Sequence, residues 1–192
     1  MDYRILGALR VARDGHDLDL GGPRQQLVLA VLLLHAGETV PTVHLVDAVW
    51  GAHPSSSARK TAQAYVSRLR RQLGDDVIDT TTDGYRLQAA SDEIDAGRFA
   101  QLVGDARGHL PHEPVVAAPL LDAALALWRG AAWGALGEQD VLAPDATRLT
   151  ELRRGALEDR FEIDLALGRH TAAISELEGF VAAHPLRERA PA

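Results

Sequence analysis

An α+β first half followed by an all-α second half is the fold class that the sequence predicts, on three observations. Strand formers and turn residues alternate with helical periodicity in residues 1–90. Beyond residue 93 the apolar positions recur at three and four, the spacing of one helix face. Charge divides at the same place: residues 1–90 hold 10 Arg or Lys against 10 Asp or Glu, whereas residues 91–192 hold 10 against 17.

Each element follows from local chemistry. Tyr3–Val11 (YRILGALRV) is rich in strand formers, Asp14-Gly15 is a turn signal and Asp17–Leu20 alternates, so a small antiparallel sheet is expected at the N-terminus. Gly21-Gly22-Pro23 ends the strand, and Pro23 suits a first helical position, where its missing N–H is not needed. Leu27, Val28, Val31, Leu32 and His35 continue at helical spacing to Gly37. Pro41-Thr42 restarts the chain, with Thr42 expected as N-cap and Leu45, Val46, Val49 and Trp50 on one face of a short helix that Gly51 stops.

His53–Ser57 is a turn and cap cluster opening a longer helix through Leu73, closed by Gly74. Ala58, Ala62, Val66, Leu69 and Leu73 form its apolar stripe; helical geometry puts Lys60, Thr61, Ala64, Ser67, Arg68 and Arg71 on the opposite face. Val77-Ile78 and Tyr85–Leu87 then flank Thr80-Thr81-Thr82-Asp83-Gly84 as a hairpin, with Asp83-Gly84 as the turn. Trp50 and Tyr85 read as core residues rather than stacking platforms.

In the second half, Phe99, Leu102, Val103, Ala106 and Leu110 make one amphipathic face and Leu120, Leu121, Ala124, Leu127 and Trp128 another. Arg148–Leu167 is apolar on two faces, as in a helix packed on both sides, and its acids are interleaved with Arg148, Arg153, Arg154 and Arg160 at ion-pairing offsets. Ala173, Leu177, Phe180 and Pro185 echo the second helix of a TPR hairpin.

Composition narrows the function. No residue is Cys, which excludes disulfides, thiolate metal sites and a Cys nucleophile, and fits a reducing cytoplasm. The longest apolar run, Leu27–Leu34, is too short for a bilayer, and Met1–Arg10 lacks a signal-type apolar core, so no membrane partner is expected. His109 and His112 are separated by Pro111 with no carboxylate placed to complete a metal site. Gly21-Gly22-Pro23 lacks the context of a phosphate cradle, and no Ser sits in a nucleophile elbow. No enzyme, cofactor or metal is expected.

The net charge of −7 argues on average against a nucleic-acid partner, but the average conceals a stripe. Residues 55–73 carry Arg59, Lys60, Arg68, Arg70 and Arg71 and no acid. A short helix, a tight turn, a basic helix and a following hairpin are the parts of a helix-turn-helix with a wing, and an α-helix fits the major groove.

The run LGGPRQQLVLAVLLLHAGETV, then VDAVWG, AYVSRLRRQLG and a Thr-rich GYRL strand resembles the OmpR-type winged helix of the SARP family, actinobacterial activators of antibiotic pathways. IDAGRFAQLVGDAR, ALALWRG, ATRLTELRRGALEDRFEIDLALGRH and FVAAHPLRER resemble that family's bacterial transcriptional activator domain. The resemblance implies a winged-helix DNA-binding domain (small antiparallel sheet, three helices, hairpin wing) over residues 1–90. It implies an all-α, TPR-like activator domain over residues 93–192, C-terminally shortened.

The expected DNA contacts are Lys60 and Thr61 near the helix start, Ala64 and Ser67 leaving room at base edges, and Arg68 and Arg71 as charged contacts. Arg59 and Arg70 flank the buried stripe and serve packing or phosphate. Arg24 meets phosphate from beside a helix start, and Thr80, Thr81 and Thr82 rest on the backbone as a wing. The resemblance further implies promoter DNA with direct repeats, a homodimer on DNA, and recruitment of RNA polymerase through its sigma and alpha subunits. The alternative is an interaction adaptor whose helical half is the working part and whose winged helix docks protein.

Overall fold

The computed structural model describes residues 1–51, 53–110 and 112–168. They form two compact units: Met1–Gly97 with Arg129–Arg148, and Arg98–Trp128 with residues 149–168.

The first unit opens with an antiparallel sheet of β1 (Asp2–Arg4), β2 (Arg10–Arg13) and β3 (His16–Asp17), in which Tyr3 faces Val11 and Ala12 faces Asp17. The run Tyr3–Val11 is thus two strands rather than one. Between them Ile5 and Leu6 leave the ladder and give their amides to the Asp95 carboxylate, which satisfies the backbone without a strand partner. Asp14 and Gly15 take φ of 51° and 80°, the consecutive positive values that a two-residue hairpin loop requires.

α1 (Pro23–Leu34) begins at Pro23, as expected. Every residue from Leu27 to Leu33 is buried, so this helix is the centre of the core rather than a surface helix. α2 (Thr42–Trp50) and α3 (Ala58–Leu73) pack against it and against each other. Pro41, not Thr42, holds the N-cap position of α2: Thr42 is already helical, and both its N–H and its hydroxyl donate to the Asp83 carbonyl, at 2.9 and 3.3 Å.

Sequence reading missed β4 (Thr39–Pro41), whose three residues are too short to show a period. It pairs with β6 (Gly84–Leu87), which also pairs with β5 (Ile78–Thr80), giving a second antiparallel sheet in the order β4-β6-β5. This corrects the role of Gly84. It lies within a strand opposite Pro41, and a Cβ there would run into the Val40 carbonyl, so the absence of a side chain permits close strand approach rather than a turn.

Residues 129–148 complete the first unit. The Arg129 amide donates to the Leu6 carbonyl at 2.8 Å and the Trp133 amide to the Ile5 carbonyl at 2.7 Å. Trp133 is buried, and its indole N–H finds Asp145 Oδ2 at 2.8 Å.

The second unit is helical. It contains α4 (Asp95–His109) from Arg98, α5 (Pro114–Ala126) and α6 (Ala143–Ala166) from Leu149. Phe99 meets Trp128 edge to face at 5.4 Å, and Arg153 lies over the Trp128 ring at 4.8 Å. The expected intrahelical ion pairs are present in part: Arg154 meets Glu151 and Arg160 meets Asp164. Two further pairs join different helices, Arg107 to Asp159 and Arg160 to Asp122, both at 2.6 Å. Ala173, Leu177, Phe180 and Pro185 lie outside the described residues. No helix among the described residues is long and apolar enough to cross a membrane.

Candidate nucleic-acid interface

The buried stripe of α3 fixes the direction of everything else on it. Ala58, Ala62, Val66, Leu69 and Leu73 are each at most 1% exposed, so the opposite face must look out. Lys60, Ala64, Ser67, Arg68 and Arg71 are exposed there, and Thr61 is half-buried with its hydroxyl on the Ser57 carbonyl at 3.1 Å. The small Ala64 and Ser67 lie between the charged ends, leaving the middle of the face low.

Charge bookkeeping in the first 90 residues singles this face out. Arg4 and Arg10 pair with Asp2 and Asp17 in the first sheet, Arg86 pairs with Asp79, and Arg13 caps the Leu73 carbonyl. Asp79 is held below the usual carboxylate range by hydrogen bonds from Gln88 and then Arg86, so this acid of β5 is matched by its neighbours on and just after β6. Among the described residues Arg24, Arg59, Lys60, Arg68 and Arg71 make no ion pair with a carboxylate. These cations remain available to a polyanion.

Arg70 departs from this set. It is half-buried, with Nε donating to the Ile78 carbonyl at 2.7 Å and Nη2 to Thr80 Oγ1 at 2.6 Å, so it ties α3 to the hairpin. Thr80 is occupied by that bond, and Thr81 Oγ1 accepts the amide of Gly84, the first residue of β6, at 3.1 Å across the hairpin loop. Thr82 is exposed at the tip beside Asp83. Arg59 is exposed and lines a cleft with Val43, Val46, Asp47 and Asp83.

Arg24 is exposed at the start of α1, and it shares a cleft of about 470 Å³ with Gly22, Pro23, Tyr65 and Arg68. Tyr65 did not figure among the expected site residues. Its ring stacks on Trp50, with centroids 6.2 Å apart and planes 8° from parallel, and the Arg68 guanidinium lies 6.0 Å from its centroid. The signal in the sequence was the i, i+3 spacing of Tyr65 and Arg68, which puts the two on adjacent turns. Tyr85 is buried, a core residue as read from the sequence, whereas Trp50 is half-buried: it packs on Val46, Ala58 and Ala62 and also stacks on Tyr65.

Comparison with known proteins bears on the whole chain. Residues 15–87 match the family model described as "Transcriptional regulatory protein, C terminal", and residues 94–192 match that of the "Bacterial transcriptional activator domain". The "Regulatory protein DnrI" of Streptomyces peucetius is 32% identical over 98% of this chain and 74% of its own length. The chain belongs to the SARP family. This is a family of transcriptional regulators, not of enzymes.

The SARP chain is also 38% identical, over 97% of its length, to the "Regulatory protein AfsR" of Streptomyces coelicolor, of which it spans only 19%. A solved structure, "Mycobacterium tuberculosis EmbR in complex with low affinity phosphopeptide", is similar over 98% of this chain and 52% of that one, with a TM-score of 0.91 and 34% identity. An N-terminal winged-helix-like part with a helical C-terminal part agrees with these matches.

Proposed function

We propose that the chain is a cytoplasmic, sequence-specific DNA-binding transcriptional activator of a secondary-metabolite gene cluster. Residues 1–90 bind DNA, with α3 in the major groove and the β5–β6 hairpin as the wing. Residues 93–192 form the TPR-like activator domain. The carrying observation is the exposed, acid-free face of α3 bearing Lys60, Ala64, Ser67, Arg68 and Arg71.

Lys60, Thr61 and Arg71 meet the duplex along this helix, Arg68 reaches a base edge past Ala64 and Ser67, and Arg59 and Arg24 approach phosphate from the flanks. Arg70 and Thr80 hold the wing against α3, while Thr81 shapes its loop and Thr82 rests on the backbone. Two copies bind side by side on direct repeats and recruit RNA polymerase through sigma and alpha subunits.

The test is an electrophoretic mobility shift on promoters of the gene cluster encoding the chain. Arg68→Ala with Arg71→Ala is expected to abolish the specific complex while the thermal melt stays unchanged. For the unmodified chain, log affinity is expected to fall linearly with log salt, by about 0.9 for each phosphate neutralised. Unchanged affinity in the double variant, or a flat salt response, overturns the reading.

A further inference from the structure

We infer that Tyr65 is a positioning residue that holds the Arg68 guanidinium in its base-reading direction, with Trp50 as its backstop. The inference rests on the DNA-binding reading above. Two contacts meet at one ring: Trp50, from the end of α2, stacks on Tyr65 in the middle of α3, and Arg68, one turn later, lies over it. One of the two partners is fixed and the other is free. Trp50 is anchored on the buried Val46, Ala58 and Ala62, Tyr65 is half-buried against it, and Arg68 is exposed.

An arginine on an open helix face loses side-chain freedom when it forks onto a base, and that loss subtracts from affinity. A guanidinium already resting over an aromatic face has lost part of it beforehand. Arg71, on the same face, lies over no aromatic ring among the described residues, so it serves as the internal control for an arginine without such a seat. The geometry also separates reading from attraction: the ring adds no charge, so removing it should lower affinity for the preferred sequence and leave binding to other duplexes as it was.

Two measurements on the full chain test this. The first needs no DNA: NMR relaxation of the arginine Nε–H groups is expected to find Arg68 more ordered than Arg71, the difference vanishing in Tyr65→Leu and persisting in Tyr65→Phe, which keeps the ring. The second uses a duplex that the unmodified chain selects from a randomised library, against a scrambled duplex of equal composition. Tyr65→Leu is expected to weaken binding to the selected duplex about two- to fivefold, the size of one exposed cation–π contact, with the scrambled duplex unaffected. Tyr65→Phe should restore it, and in an Arg68→Ala background Tyr65→Leu should add nothing.

Equal mobility of the two arginines in the unmodified chain overturns the positioning role, as does a Tyr65→Leu loss that persists at full size without Arg68. If Arg68 is ordered by the ring but no duplex is selected, the positioning stands as a property of the free protein while the base-reading direction assigned to it, together with the DNA reading, fails.

Discussion

Arg70 grips Thr80 across the junction of α3 and the hairpin, at 2.6 Å between guanidinium and hydroxyl. The next residue, Arg71, is exposed and makes no such contact among the described residues. Neighbours in sequence therefore have opposite surroundings, one tied inward and one turned to solvent. Arg70→Ala is expected to destabilise the chain by about 1–2 kcal/mol in urea unfolding, because the Ile78 carbonyl and Thr80 lose a charged donor. Arg71→Ala should leave stability within about 0.5 kcal/mol and weaken DNA binding instead. Equal unfolding midpoints for the two variants would contradict the assignment.

Gly84→Ala tests the second sheet. A methyl group there meets the Val40 backbone, which cannot move without breaking the β4–β6 pairing. The loss should reach about 3 kcal/mol, the scale of overpacking in a closed site. Gly15→Ala, at a loop with open space around it but φ of 80°, should lose only about 1 kcal/mol. Thermal melts of the two variants side by side decide the order.

Asp95 is the clasp of the first unit. At 2% exposure it accepts the Ile5 amide at 2.7 Å and the Leu6 amide at 3.1 Å, and meets Arg129 at 3.3 Å. Asp95→Ala leaves two buried amides and a cation without their acceptor, and should destabilise by about 3–5 kcal/mol. The exposed partner of another pair offers a contrast: Arg148→Ala, which breaks a surface contact with Asp145, should change stability by less than about 1 kcal/mol.

Glu93 gives a pH dependence with a definite sign. The Met1 ammonium, 2.8 Å away, and then the Ala90 amide hold its carboxyl below the ordinary value of 4.5. Its contribution is therefore complete above that ordinary value and disappears as the pH falls through the depressed one. Glu93→Gln should melt slightly lower at neutral pH, by less than about 1 kcal/mol of stability, and coincide with the unmodified chain in strong acid. A gap that widens on acidification would reverse the sign and the assignment.

The helices of the first 90 residues were legible because their physics is local. Pro23 opens α1, Gly51 and Gly74 end α2 and α3, and all five residues of the α3 stripe are buried. The exposed cations of α3 followed from that same stripe. What escaped was non-local. β4 exists because β6 lies beside it, Gly84 is needed because Val40 comes close, and Arg70 turns inward because Ile78 and Thr80 offer acceptors. The break at Ile5 and Leu6 depends on Asp95, some ninety positions away. None of these partners leaves a mark in its neighbour's local pattern.

The stretch Arg129–Arg148, built into the first unit, bears on how the chain is made. During translation the β1–β2 region emerges early, yet Asp95, Trp133 and Asp145, which hold or complete its surroundings, follow much later. Until they leave the ribosome the Ile5 and Leu6 amides lack Asp95 and the Ile5 carbonyl lacks Trp133, and a nascent chain halted near residue 90 would hold a helix-bearing core with one edge bare. A gene fragment cut there should give an aggregation-prone product, whereas one extended through Arg148 carries every segment that the unit needs.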